Sequence, residues 1–399
     1  MKRGKQLTLI LFLCILTLCL GGCGEMLQEL EQEMFIQEDE DKKEEKEYTV
    51  SFASGHSGTY AYDRLSEEEQ IWYRDIDKLL EYRMDEEMEL SQEAIEEGLT
   101  EEDIDKIYNC VMMDHPEYFY VEGYEYVTYT TGSGDLAGID IYGKYAYSME
   151  ECEMRQKEIE EAVEEILWLA PTDDDDYEKI RYVYETIIKQ TDYDLSAPDN
   201  QNIYSVLVGG ASVCQGYAKT TQYLLNELGI DCTIVFGKVG DGEAHSWNIV
   251  ECNGDFYHLD TTWGDASYSM NGEMLTEAEA PEINYDYLCI STQQLERTHE
   301  IKEVVALPEC DSLDDNYYVR EGKYFYTYDE EQFRRELAET FEEGESSITI
   351  KCDSEEVYDT FYEELIENQM IFSYLPDEYK SISYIEDGEQ LSLSFWVTK

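Results

Sequence analysis

Gly209-Gly210-Ala211-Ser212-Val213-Cys214-Gln215-Gly216-Tyr217-Ala218 is the stretch on which the reading of this chain turns. After Cys214, Ala218, Thr221, Leu225 and Leu228 recur at helical spacing, and Gly229 ends the pattern. The Gly-Gly-Ala-Ser run before it is not helix interior. The pattern therefore puts Cys214 at or near the N-terminus of a buried helix. There the free N–H groups and the helix dipole favour a thiolate. The same amides can hold a developing oxyanion. Gly210 and Gly216 are expected to let the backbone turn tightly and to leave room for a substrate.

Downstream, Cys232 to Gly237 reads as a strand, and Gly240-Asp241-Gly242 as a turn. A second strand, Ala244 to Val250, carries His245 near its start. A third, Phe256 to Asp260, follows the Asn253-Gly254 hairpin signal. Antiparallel pairing through that hairpin brings Asp260 beside His245, where the carboxylate accepts the imidazole N–H. A thiol, an imidazole and a carboxylate so arranged form an activated nucleophile. His258 alternates with Asp260 and is a rival base. Base and orienter usually approach from different strands, so His245 is preferred and His258 is expected to be structural. His56 and His299 are read as isolated. With no Cys-x-x-Cys or His-x-x-x-His pair, neither a zinc site nor another cofactor is expected. Trp247, Trp263 and Tyr217 are read by default as packing residues, with a cleft wall as the other role for each.

Val213-Cys214-Gln215-Gly216-Tyr217-Ala218, Ala244-His245-Ser246-Trp247-Asn248 and His258-Leu259-Asp260-Thr261-Thr262-Trp263 together resemble the bacterial transglutaminase-like superfamily, over roughly residues 165–300. The resemblance implies an α+β, papain-like core in which a Cys helix packs on an antiparallel sheet. It implies Cys214 as nucleophile, His245 as general base and acid, and Asp260 as orienter. That superfamily contains amide-forming transferases, peptidases and members without demonstrated chemistry. The expected activity is amine transfer or hydrolysis at an amide of a protein or peptide. A cysteine peptidase acting on protein or cell-wall peptides and a non-catalytic surface-binding module are the alternatives.

Outward from this core, the chain begins with a basic Met1–Lys5, an apolar run from Leu7 to Leu20, and Gly21-Gly22-Cys23. This looks like a lipoprotein signal over residues 1–23, with Cys23 lipidated and the body exported and held to the outer face of the cytoplasmic membrane. Residues 24–47 read as an acidic tether. Residues 48–169 read as an N-terminal α/β module. It has a Ser66 capping box, a helix from about Glu101 to Met113, strands at Tyr118–Val121 and Tyr124–Tyr129, and a helix from Ser148 to about Leu169. His115 reads as a capped helix end.

Asp173 to Asp176 lack the alternation of a calcium loop and read as an acidic helix start within the catalytic domain, 170–300. Gln201 or Asn202 is a weak candidate oxyanion donor. Asn284 to Ile290 is expected to be a strand that closes the catalytic sheet. Residues 311–399 alternate strands and helices as a small α+β module with no chemical motif.

The net charge of -65, from 93 acidic and 28 basic residues, argues against a nucleic-acid partner. Of the 11 cysteines, Cys14 and Cys19 leave with the signal and Cys23 takes lipid. A free Cys214 leaves an odd number, which cannot all pair. Cys232, Cys252 and Cys289 lie in apolar contexts suited to buried thiols.

Overall fold

Ser66 opens the first long helix through a reciprocal cap. Its side chain accepts from the Glu69 amide, and Glu69 reaches back to the Ser66 amide. This helix, α1 (Glu67–Glu81), buries Trp72, Ile76, Leu79 and Leu80 and packs on α2 (Ile104–Asp114). The structure, a computed structural model, describes residues 58–172, 175–265, 283–375 and 381–398. The expected signal, Cys23, the tether, His56, Asp173 and Asp174 lie outside the described residues. Among the described residues, no helix is long and apolar enough to cross a membrane.

The N-terminal sheet joins β1 (Met88–Glu89), β2 (Val121–Thr130) and β3 (Leu136–Tyr145), with β3 in the middle. Tyr118, Phe119 and Tyr120, expected in a strand, precede β2 as a buried turn. They anchor through side chains instead: Tyr118 donates to Asp77 at 2.7 Å and Tyr120 to the Leu80 carbonyl at 3.0 Å. His115 closes α2 and lies between Glu117 and Asp77. Two helices lead to the core. Ser148 caps α3 (Met149–Leu169), and Asp175 caps α4 (Asp176–Gln190) by accepting from the Tyr177 amide.

The core is α5 (Cys214–Glu227) laid on an antiparallel sheet of β4 (Cys232–Val239), β5 (Glu243–Cys252), β6 (Asp255–Leu259) and β7 (His299–Lys302). The spatial order is β6-β5-β4-β7. Asn248 of β5 donates to the Ala218 carbonyl of α5 at 2.9 Å, so a buried polar bond fixes helix against sheet. A short helix, α6 (Thr261–Gly264), follows β6; Thr261 and Thr221 of α5 share a hydroxyl contact at 3.0 Å.

The sheet is not closed by Asn284–Ile290. Asn284 accepts from the Asp286 amide and starts a tight 3-10 turn, and Cys289 has a left-handed φ of 54° that an extended run would not tolerate. What remains is a bridge between Ile290 and His258 and a bond from the Asp260 amide to the Tyr287 carbonyl. The edge position next to β4 belongs to β7.

The C-terminal part holds β8 (Tyr324–Phe325), α7 (Glu330–Glu342), β9 (Ser347–Cys352), α8 (Glu355–Tyr362), β10 (Ser381–Asp387) and β11 (Ser392–Thr398), in sheet order β8-β9-β11-β10. Phe333, Leu337, Phe361 and Phe395 fill its core. It lies in the same compact unit, Ser51–Lys399, as the sheet under α5. The seam is polar and buried. Lys351 donates to Asp286 at 2.8 Å and to Gln390 at 3.1 Å, while Ser392 donates to the other Asp286 oxygen.

Lys351→Met leaves the buried Asp286 carboxylate without its cation and is expected to lower unfolding free energy by about 3–5 kcal/mol. Urea denaturation measures this; a loss under about 1 kcal/mol would show that the pair does not hold the seam.

Candidate active site

The approach to Cys214 is built by backbone geometry. Gly210 takes a left-handed φ of 67°, and Ala211–Ser212 run extended beside Asp192–Tyr193. Val213 then caps α5 from an extended conformation without a side-chain bond, and Cys214 is the first helical residue. The Gly216 and Tyr217 amides bond to the Val213 carbonyl. Among the described residues, the amides of Cys214 and Gln215 have no acceptor. Gly216 is not at a turn. It sits within α5, where a Cβ would meet the Ser212 Oγ at 1.9 Å and the Asn202 carbonyl at 3.2 Å. Asn202 Oδ1 caps a short helix, accepting from the Tyr204 and Ser205 amides, while its Nδ2 remains a donor and lies beside the Tyr147 hydroxyl. Tyr217 is buried and donates to the Thr191 carbonyl and to Asp265.

The hairpin of β5 and β6 sets the other two groups. Its last pair is Asn248 opposite Leu259, so Asp260 emerges one residue beyond, beside the start of β5. Its Oδ2 lies 2.7 Å from His245 Nε2. Asp260 is also the N-cap of α6: Oδ1 accepts from the Thr262 amide at 2.9 Å and the Trp263 amide at 3.1 Å. With Nε2 given to Asp260, the remaining ring nitrogen of His245 serves the hydrogen bond to Cys214. The structure thus brings Cys214, His245 and Asp260 together, with the histidine between the other two.

The electrostatics follow from burial against pairing. Burial opposes charge on Asp260, yet His245 and His299 hold its carboxyl well below the usual range. Burial also opposes the His245 imidazolium. The Asp260 charge and its hydrogen bond, joined by Cys214, nevertheless raise it to about 10. For Cys214, burial pushes the thiol up, but the hydrogen bond and charge of His245 bring it below the ordinary thiol value.

His258 is locked away from this group. Its Nδ1 accepts from Trp247 Nε1 at 3.1 Å, and its Nε2 faces the Thr292 hydroxyl at 3.1 Å. Burial keeps it neutral, down to about 3.

His299 corrects the expectation of an isolated histidine. It opens β7, is buried, and its Nε2 lies 3.1 Å from the same Asp260 oxygen. A carboxylate oxygen only accepts, which puts the His299 proton on Nε2. Nδ1 then accepts from Thr298 Oγ1 at 2.8 Å, in preference to the hydroxyl's longer contact at 3.4 Å with the Leu295 carbonyl. Burial holds His299 below its ordinary pKa, so it is a neutral donor. Trp247 and Trp263 pack on its ring at 5.0 and 4.8 Å. His245, Asp260 and His299 have ligand atoms within 4.8 Å of one another, close enough for an ion. Their spacings of 2.7 and 3.1 Å are hydrogen-bonding geometry, and the shared oxygen is saturated by two N–H groups.

Residues 168–261, which include all three expected catalytic residues, match the Transglutaminase-like superfamily. No curated protein shows significant sequence similarity to the chain. Among solved structures, one of a TGase is 14% identical with a TM-score of 0.26, covering 40% of this chain and 48% of its own. A candidate cysteine protease from Cytophaga hutchinsonii is 12% identical with a TM-score of 0.23, covering 36% of this chain and 66% of its own. A candidate protease from Parabacteroides distasonis is 14% identical with a TM-score of 0.22, covering 35% of this chain and 36% of its own. The chain thus spans about half the length of the first of these. The mixed α+β fold with a transglutaminase-like domain agrees with the fold class read from the sequence.

Deprotonating Cys214 takes the buried set Cys214, His245 and Asp260 from neutral to a net negative charge. Each neutral N–H aimed at the set favours the charged state and lowers the thiol pKa. His299→Leu is therefore expected to move the pH midpoint of Cys214 alkylation up by about one pH unit. His299→Gln, which keeps a donor, is expected to restore part of the shift. An unchanged midpoint in His299→Leu would show that His299 only packs.

Proposed function

We propose that the chain is an exported, surface-anchored thiol enzyme that acts on amide bonds through an acyl-enzyme on Cys214. What carries this reading is one juxtaposition: a half-buried thiol at the start of α5, hydrogen-bonded to an imidazole that Asp260 holds at 2.7 Å. The Cys214 thiolate attacks the carbonyl carbon of a protein or peptide amide. The unpaired amides of Cys214 and Gln215 lie where the oxyanion forms. His245 gives its proton to the departing amine as the C–N bond breaks, which leaves a thioester and a neutral imidazole. An incoming amine or water then gives up a proton to His245, adds to the thioester and releases the Cys214 thiolate, which restores the thiolate–imidazolium pair. The first product is a new amide and the second a carboxylic acid.

Hydrolysis by a cysteine peptidase is the second reading. The cavity beside α5 has polar walls, among them Asn109, Asn200 and Gln215, the residue after Cys214, and such walls hold water. A binding module without chemistry is the reading that remains if Cys214 is inert. The basic start, apolar run and Leu20-Gly21-Gly22-Cys23 support lipidation at Cys23 and placement on the outer face of the cytoplasmic membrane.

A labelled primary amine offered with a Gln-containing protein separates these readings. Incorporation that Cys214→Ala abolishes identifies the transferase; cleavage or deamidation alone identifies the hydrolase. Neither activity, with ligand binding intact in Cys214→Ala, would contradict the enzymatic reading. For the anchor, Cys23→Ser is expected to move the protein from the membrane to the soluble fraction after export, and retention on the membrane would contradict lipidation there.

A further inference from the structure

Lys219 lies on α5, one turn after Gln215, and is only 7% exposed. A lysine so buried ordinarily has a carboxylate partner. Lys219 has none among the described residues, in a chain with 93 acidic residues, and burial alone acts on its charge, drawing its pKa down to about 8. It lines a cavity of about 660 Å³ that Gln215 also lines, next to the Cys214 end of the helix. Helical side chains lean toward the N-terminus, over the preceding turn, which for Lys219 is the turn that carries Gln215. The other walls include the carboxamides of Asn109, Asn200 and Asn202. Two carboxylates also face the cavity. Asp199 is engaged by Arg155 at 3.2 Å, and Glu122 is exposed; neither pairs with Lys219.

We propose that Lys219 and the carboxamides around it form a binding site for a carboxylate of the substrate, beside the amide that Cys214 attacks. The inference rests on the reading of Cys214 as nucleophile and adds the substrate's charge to it. An ammonium that is itself only 7% exposed attracts an anion more than a surface lysine does, because burial has removed most of its own hydration. Asn200 Nδ2 is given to the Asp194 and Leu195 carbonyls, so the carboxamides of Asn109 and Gln215 supply the N–H donors for the remaining carboxylate lone pairs and for a peptide backbone. In a protein whose overall field repels anions, such a site selects an acidic peptide by local contact. The carboxylate comes either from the peptide's C-terminus or from an acidic side chain next to the reacting residue.

The test compares iodoacetate with iodoacetamide on the full chain, read at Cys214 by peptide mass. Both reagents need the thiolate, so their rate ratio cancels the titration of Cys214 and reports charge preference. Of the other titratable groups on the cavity wall, the Tyr108 phenol is raised to about 12 and that of Tyr147 is raised by burial. An ordinary carboxylate stays charged between pH 7 and 9.5. The iodoacetate preference is expected to fall as pH rises through about 8, where Lys219 loses its proton.

Lys219→Met is expected to lower the ratio about fivefold at pH 7 and to remove its pH dependence. Three peptides then distinguish the sources by protecting Cys214: acetyl-Gln-Gly with a free carboxylate, its amide, and the amide of acetyl-Gln-Glu. Better protection by the first implicates a C-terminal carboxylate, and by the third an acidic side chain. A ratio that ignores both pH and Lys219→Met, or equal protection by all three peptides, overturns the proposal. If iodoacetamide itself meets Cys214 as an ordinary thiol, the enzymatic reading fails and this inference falls with it.

Discussion

The carboxylate of Asp260 is the constraint on which the rest of the site depends. Each of its oxygens accepts from two donors: the Thr262 and Trp263 amides on one, His245 and His299 on the other. A fully buried carboxylate without partners would take up a proton; four N–H groups hold it charged instead. That charge supports the imidazolium on His245, which in turn supports the thiolate on Cys214. The same side chain caps α6, so the direction of the carboxylate is set by the backbone as well as by the histidines. Fold and chemistry therefore meet in one residue.

The link from this carboxylate runs beyond the sheet under α5. Gln390, just ahead of β11, donates to Thr298 at 3.3 Å and to the Tyr287 hydroxyl at 3.2 Å. Thr298 in turn fixes the tautomer of His299, and Lys351 holds Gln390 from β9. Arg297 adds a bond to the Gln390 carbonyl. The C-terminal part thus supplies the outer support of the imidazole that supports Asp260, which gives a motif-free stretch of sequence a structural reason to be attached. On the opposite side of the site, Asn248 ties β5 to α5, so the thiol and the imidazole ride on elements that cannot slide independently.

Much of this was legible in the sequence because its signals are local. The start of α5 follows from the Gly-Gly-Ala-Ser run before Cys214 and the helical spacing after it. The hairpin follows from Asn253-Gly254, and with it the approach of Asp260 to His245. His299 was not legible because its partners are set by a pairing of distant segments: β7 reaches β4 only after a long excursion, and a four-residue strand has almost no periodicity of its own. Asn284–Ile290 was misread as a strand for a related reason. Its aromatic and β-branched residues suit a strand, but the Asn284 cap and the left-handed Cys289 override that preference. Tyr118–Tyr120 misled similarly, since aromatics that anchor a turn carry the same propensity as aromatics in a ladder.

The central claim is that His245 is a charged imidazolium between a thiolate and a carboxylate. Side-chain ¹⁵N chemical shifts of the histidines at neutral pH measure this directly, with His245 assigned by its loss in His245→Gln. The account predicts two protonated ring nitrogens on His245, persisting toward pH 10, beside a neutral His258 and a neutral His299. A neutral His245 at pH 7, carrying one protonated nitrogen, would contradict it.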